Sequence, residues 1–353
     1  MHDETTAKRK DAHLDLCATE EVAPVENATL LGDVRLVHCA MPELSFGQVE
    51  LGLSWFGKAL KAPILITGMT GGTERAGQVN RELAQVAEEF GVAFGVGSQR
   101  AMAERPELTS TFAVRSVAPT TVVIGNLGLV QASRLPIDQI RRLTDAIGAD
   151  ALALHLNPGQ ELNQPEGDRD FQNGYRTVTA LAKAYGDRLL VKETGCGVSP
   201  EVARRLVDCG VKSLDVSGLG GTSWVRVEQL RSTGVAREVG AQFASWGIPT
   251  AAAIASVRKA VPGHVTLVAS GGLRTGLDVA KALALGADLG GMALPLFRAQ
   301  QQGGISGVRT ALETVMTALK QALALTGSRT VAELRRQPRV VTGELKDWLQ
   351  ALG

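Results

Sequence analysis

A (β/α)8 barrel is the fold class this sequence predicts, and three features predict it. From about residue 61, eight short runs rich in Val, Ile, Leu and Ala alternate with amphipathic stretches. The runs are apolar throughout, as strands covered on both faces must be. None is marked as a sheet edge, which favours closure over an open eight-stranded sheet.

In chain order the strands are expected at Pro63–Thr67, Val92–Val96, Thr121–Gly125, Ala151–Leu156, Leu189–Lys192, Ser213–Ser217, Val265–Ser270 and Asp288–Met292. Spacing of apolar residues places helices between them at Val79–Phe90, Glu107–Val117, Ile137–Ile147, Tyr175–Tyr185, Pro200–Asp208, Val239–Val261 (broken near Gly247-Ile248-Pro249) and Leu277–Leu285. A last helix, Gly307–Leu325, follows the eighth strand. Residues 1–60, with the short runs Val34–Cys39 and Val49–Leu53, read as an N-terminal extension, 61–326 as the barrel and 327–353 as a basic, helix-prone tail. No Ser/Gly/Pro linker separates them, so one domain is expected.

Composition removes several function classes. The 353 residues are 44% hydrophobic, enough for one large core, and the formal net charge of +1 offers no field for nucleic acid or an anionic membrane. Aromatic residues make up only 4%, which argues against a base-stacking surface. Cys17, Cys39, Cys196 and Cys209 form no C-x-x-C pair, so neither a zinc ribbon nor a dithiol centre is supported. The first residues mix charges without an apolar core, and no stretch approaches the length of a membrane span. A cytoplasmic location is expected.

In such a barrel the loops that follow the strands gather at one end, where active sites form. Here those loops hold the glycines and polar groups, whereas turns entering strands, such as Gly148-Ala149-Asp150, are plain. After strand 7, Gly271-Gly272-Leu273-Arg274 supplies backbone N–H groups, a helix start and a guanidinium, the makings of a phosphate site, with Ala293 and Leu294 close by after strand 8. Thr222, closing the turn after strand 6, adds a hydroxyl. Lys192 lies inside a parallel strand, where a lysine is costly unless an anion meets it; the alternative is that it points outward to a helix. His155 and Asn157 share one face of strand 4 and, with Gln160 and Glu161, make a cluster more polar than structure requires.

These segments resemble one family over nearly the whole chain. Arg9-Lys10-Asp11-Ala12-His13, ITGMTGG (66–72), GSQR (97–100), GNLG (125–128), HLNPGQE (155–161), QPEGDRDF (164–171), KETGCGVS (192–199), DVSGLGGTSW (215–224) and SGGLRTG (270–276) are similar to the FMN-dependent type 2 isopentenyl diphosphate isomerases. SGGLRTG alone occurs widely among FMN barrels; the combination of RK-x-x-H, HLN-x-x-QE and QPEGDRDF is far more specific. One departure is Gly159, where a larger apolar residue is expected.

The resemblance implies interconversion of isopentenyl and dimethylallyl diphosphate with FMN and magnesium. Thr67, Gly68, Met69, Thr70, Ser98, Asn126, Lys192, Ser217 and Thr222 would line the flavin ring and ribityl chain. Gly271, Gly272, Leu273, Arg274, Ala293 and Leu294 would hold its phosphate. Arg9, Lys10, His13, Ser98, Arg100, His155, Asn157 and Gln160 would receive the substrate, with Arg9 and Lys10 on an arm that folds over the anion. Glu161 would bind a partly hydrated magnesium ion that bridges two phosphates. Gln160, Lys192 and His155 would be catalytic. A 1,3 proton shift needs an acid strong enough to protonate an alkene; Glu161 is committed to metal and Gln160 is neutral. Reduced FMN is then the candidate acid and base, with NADPH as reductant, and a homo-oligomer of four or more subunits is expected.

Three rivals remain at this stage. An FMN-dependent 2-hydroxyacid oxidase or dehydrogenase would carry a His base and an Arg after strand 6, where this chain reads SGLGGTSW. Cys196 as a nucleophile would need an activated thiol. A non-catalytic flavin sensor would leave Arg9, Lys10, Arg100 and Glu161 idle.

Overall fold

The computed structural model describes residues 2–19, 21–24 and 28–353. Eight parallel strands close into a barrel: β1 (Ile64–Ile66), β2 (Ala93–Gly95), β3 (Val123–Gly128), β4 (Ala151–His155), β5 (Leu189–Lys192), β6 (Ser213–Asp215), β7 (Thr266–Ala269) and β8 (Leu289–Met292). Pairing of Gly290 with Ile64 joins β8 to β1, so no barrel strand is left as an edge. All eight expected strands are present, shorter by a residue or two at most ends.

Side chains alternate between two cores. Ile64, Ile66, Phe94 and Val123 face outward to the helices, while Leu65, Ala93, Ile124, Ala153, Leu190, Val268 and Leu289 fill the barrel interior. A hairpin of Leu53–Trp55 and Lys58–Leu60 closes the lower end, with Trp55 in the interior cluster and its indole N–H 3.5 Å from the Ser213 hydroxyl. Thus the interior is floored at one end and open at the other. The extension and the tail also meet: Val34–Leu36 pairs antiparallel with Arg339–Val341.

Two helical expectations change, and the N-terminal arm adds a helix that was not expected. The segment Glu107–Val117 is not an α-helix; a 3-10 turn spans Pro106–Thr111 and irregular backbone follows. The hydroxyls of Thr109 and Thr111 donate to the carbonyls of Pro106 and Leu108, at 2.6 and 2.7 Å, and hold the tight turn. The helix after β8 starts at Leu294, not Gly307, with Pro295 in its first turn and a break at Gly303 and Gly304. The N-terminal arm is itself a helix, His2–Thr19, laid across the open end.

Candidate active site

The inward-facing rows change character one step above the apolar layer. Two residues beyond Leu65, Ile124, Ala153, Leu190, Asp215, Val268 and Leu289 stand Thr67, Asn126, His155, Lys192, Ser217, Ser270 and Gly291, and all seven line the mouth cavity. Strand periodicity thus delivers a polar ring onto an apolar floor. Every residue assigned from the sequence to flavin, diphosphate or metal lies on the wall of this one cavity.

Glycines set its shape where loops touch. A Cβ at Gly272 would sit 2.4 Å from the Gly220 carbonyl oxygen, and one at Gly221 would sit 2.6 Å from the Gly272 nitrogen. Hence the loops after β6 and β7 meet backbone to backbone, a cradle only glycine permits. Arg274 is exposed, and the Arg274 and Thr275 N–H groups donate to Asp278 at 3.1 and 2.9 Å in a capping box. The helix start is therefore capped by its own acid, while the Arg274 side chain, the glycine backbone and Thr222 line the cavity.

The arm brings cations. Lys10, His13, Leu14 and Cys17, spaced three, four and seven residues apart, turn one face of the helix into the cavity. Thr73 donates to Asp11 at 3.0 Å, Arg75 meets Asp15 at 2.6 Å and Arg298 donates to the Cys17 carbonyl at 3.0 Å, docking the helix on the barrel rim. Arg9 reaches Glu166 at 3.3 Å, but its Nε is buried with no partner. Burial, with Arg9 and Arg100 nearby, pulls Lys10 down to about 8. Like charges crowded in this way mark a site that an anion completes.

His155 is the neutral member of the ring. Burial, then Lys192 and Lys10, pulls it down to about 3. Its Nδ1 lies 2.8 Å from Asn126 Oδ1, so hydrogen bonding assigns the proton to Nδ1 and leaves Nε2 bare. Lys192 bonds the carbonyl of Glu193, and its strand register puts it beside His155 on one side and Asp215 on the other.

At the β4 loop, Asn157 donates to Gln160 Oε1 at 3.3 Å and to Glu161 Oε1 at 3.1 Å, and the Asp168 N–H donates to Glu161 Oε2 at 2.8 Å. Among the described residues no three His, Cys, Asp or Glu side chains converge on a metal position.

Sequence reasoning missed Glu228. This fully buried acid lies on the helix Trp224–Arg231 and accepts from Gln160 at 3.3 Å and His13 at 3.0 Å, with Arg231 on its other oxygen. Burial pushes its carboxyl up, but His13, Arg231 and Gln160 outweigh that and hold it below the usual range. His13, expected on the diphosphate, therefore spends its Nε2 on Glu228 and packs edge-on against Trp224. The thiol rival weakens: burial pushes Cys196 up to about 12. A Cβ on Gly159 would lie 3.1 Å from Cys196 Sγ and 3.4 Å from Val225, so the unexpected glycine makes room for that thiol.

The FMN-dependent dehydrogenase family matches residues 166–341. Full-length relatives are more specific. An isopentenyl-diphosphate delta-isomerase of Metallosphaera sedula is 44% identical over 98% of this chain and 95% of its own length. That of Pyrococcus horikoshii is 42% identical, over 99% and 96%. The chain belongs to the isopentenyl-diphosphate delta-isomerase family. Its relative from Aeropyrum pernix is 44% identical over 99% of this chain and 93% of the other. Among solved structures, mandelate oxidase with (S)-2-phenylpropionate superposes with a TM-score of 0.66 at 20% identity, over 95% of this chain and 98% of that one. Such identity speaks to the barrel alone. In this member of the isomerase family no helix among the described residues is long and apolar enough to cross a membrane.

Flavin fits the cavity's donor set. Thr70 Oγ1 is buried there without a partner, the glycine cradle would suit a phosphate, and Lys192 waits at the floor with no carboxylate hydrogen-bonded to it among the described residues.

Proposed function

We propose that this protein interconverts isopentenyl and dimethylallyl diphosphate, with FMN and magnesium bound in the cavity at the barrel mouth. The observation that carries the reading is convergence: the cations Arg9, Lys10 and Arg100 share one cavity with the Gln160–Glu161 pair and the polar ring. A hydride-transferring oxidase has no use for three cations above its flavin, and the β6 loop lacks that chemistry's His and Arg.

Each residue then has a task. Thr67 to Thr70, Ser98, Asn126, Lys192, Ser217 and Thr222 would hold the ring and ribityl chain, and Gly271 to Arg274 with Ala293 and Leu294 the phosphate. When bound and reduced, with NADPH as the expected source of electrons, FMN would supply the acid and base that the protein lacks. Arg9, Lys10, Arg100 and Asn157 would grip the diphosphate, and Glu161 would hold the magnesium ion that accompanies it. A diphosphate would oppose the charges of Lys192 and Lys10, which stand behind burial as causes of the neutral His155 ring, and so raise the proton affinity of the bare Nε2. Gln160, held between Asn157 and Glu228, would present its amide to the reacting carbons.

Two tests follow. Flavin released by denaturing the purified protein should be FMN, because the cavity has one phosphate cradle and the sequence no second dinucleotide fingerprint; chromatography that recovers only FAD contradicts this. With Lys10 titrating at about 8, it is charged below that pH and neutral above it. Accordingly kcat/KM should decline through pH 8, and Lys10→Arg, which stays charged, should abolish that limb. A limb unchanged in the variant would assign it to another group.

A further inference from the structure

Among the described residues, two formal charges stand in the inward strand rows: Lys192 on β5 and Asp215 on β6, which are register partners. Lys192 lines the cavity, whereas Asp215 is fully buried one step below Ser217, level with the apolar layer that includes Leu190, Val268 and Leu289. Its carboxylate accepts from the Ser217 N–H at 3.1 Å and the Ser270 N–H at 3.2 Å, and from the Ser270 hydroxyl at 2.7 and 2.9 Å. Both serines line the cavity. Other strands fill this layer with Ala, Leu, Val or Ile, so packing alone does not call for an acid. A buried carboxylate is costly unless a cation and hydrogen bonds meet it, and the adjacent cation is Lys192.

We propose that Asp215 is a positioning residue that balances the Lys192 charge under the flavin, and so sets how far the site favours reduced over oxidised cofactor. The inference rests on the FMN reading above. With both charges present the floor is nearly neutral; with Lys192 alone it would favour the anionic reduced ring, and with Asp215 alone the oxidised one. Charges this close are weakly screened in the barrel interior, so each imbalance reaches the cofactor. Through Ser217 and Ser270 the same carboxylate fixes the rim of the β6 and β7 loops.

The test is a set of midpoint potentials, with oxidised FMN binding followed by fluorescence quenching. In D215N the ratio of reduced to oxidised affinity should rise about tenfold, about 30 mV upward for a two-electron couple. K192M should move it downward. K192M/D215N, neutral again, should return to within about threefold of wild type. S270A, which removes the hydroxyl and keeps the charge, should stay near wild type. Should D215N leave too strained a pocket to fold, the double variant removes both charges together and leaves none uncompensated, so K192M and K192M/D215N carry the test. An unmoved potential in D215N, or a double variant no higher than K192M, would overturn the proposal. Wild-type protein that binds no FMN would instead overturn the cofactor reading beneath it.

Discussion

Gln160→Ala should lower turnover by about 10²–10⁴-fold while leaving magnesium dependence near wild type. The Gln160 amide is held at both ends: Asn157 donates to its oxygen and its nitrogen donates to Glu228, each at 3.3 Å. On the proposed reading, truncation removes a positioned polar group next to the reacting carbons and one of Asn157's two acceptors, but leaves the Glu161 carboxylate with Asn157 and the Asp168 N–H as donors. Glu161→Gln should behave differently. It removes the charge proposed to hold the ion, and its amide nitrogen would oppose Asn157 or the Asp168 N–H, both of which donate to Glu161. Diphosphate binding and turnover should fall together, with partial recovery at high magnesium. Magnesium titrations at fixed substrate separate the two variants. Wild-type behaviour in both would remove the β4 loop from the reaction centre.

The second large effect is expected from the docked helix. Arg9→Met with Lys10→Met should reduce kcat/KM by about 10²–10⁴-fold, because each cation contributes a charge-assisted hydrogen bond of roughly 1.5–3 kcal/mol to a buried anion. Most of the loss should appear in KM, since the diphosphate is gripped in ground and transition states alike. A loss confined to kcat, with KM unchanged, would place these residues at the carbons rather than the diphosphate. Arg9 also bonds Glu166, so thermal unfolding of the variant should be compared with wild type to separate undocking of the helix from loss of charge.

Elements that bury apolar stripes were readable from the sequence; two helices that turn polar side chains toward the site were not. The eight strands and the helices Gly174–Tyr185, Pro200–Asp208 and Gly276–Ala284 bury regular apolar stripes, and their periodicity reveals them. The helix Trp224–Arg231 buries Glu228 and Gln229 alongside Val225 and Val227, which erases the apolar period although Ser223 caps it. In His2–Thr19 the inward face is Lys10, His13, Leu14 and Cys17, again mixed. Helices that present polar groups to a ligand therefore hide from hydrophobic patterning. Phe112 misled in the other direction: its apolar spacing with Leu108 suggests a helix, yet it packs under Gly71, where a Cβ would come 2.0 Å from its ring.

For the site, the residues alone pointed to a polar mouth, a phosphate loop and a lysine awaiting an anion, and the family resemblance supplied the individual tasks. At Arg274 the sequence does not display that Asp278 takes its backbone N–H and that of Thr275, which leaves the guanidinium as the group this residue offers the cavity. Glu228 was overlooked because its partners lie 215 and 68 positions away in the chain.

The central claim is isomerisation without net redox change, and one anaerobic assay tests it most directly. FMN-loaded protein is given isopentenyl diphosphate and magnesium, first with oxidised flavin and then after reduction with a counted amount of dithionite. Dimethylallyl diphosphate should be absent in the first case and accumulate in the second to many equivalents per electron pair supplied, with the flavin still reduced at the end. Product limited to one equivalent per electron pair, or no isomer with reduced flavin and magnesium present, would contradict the account.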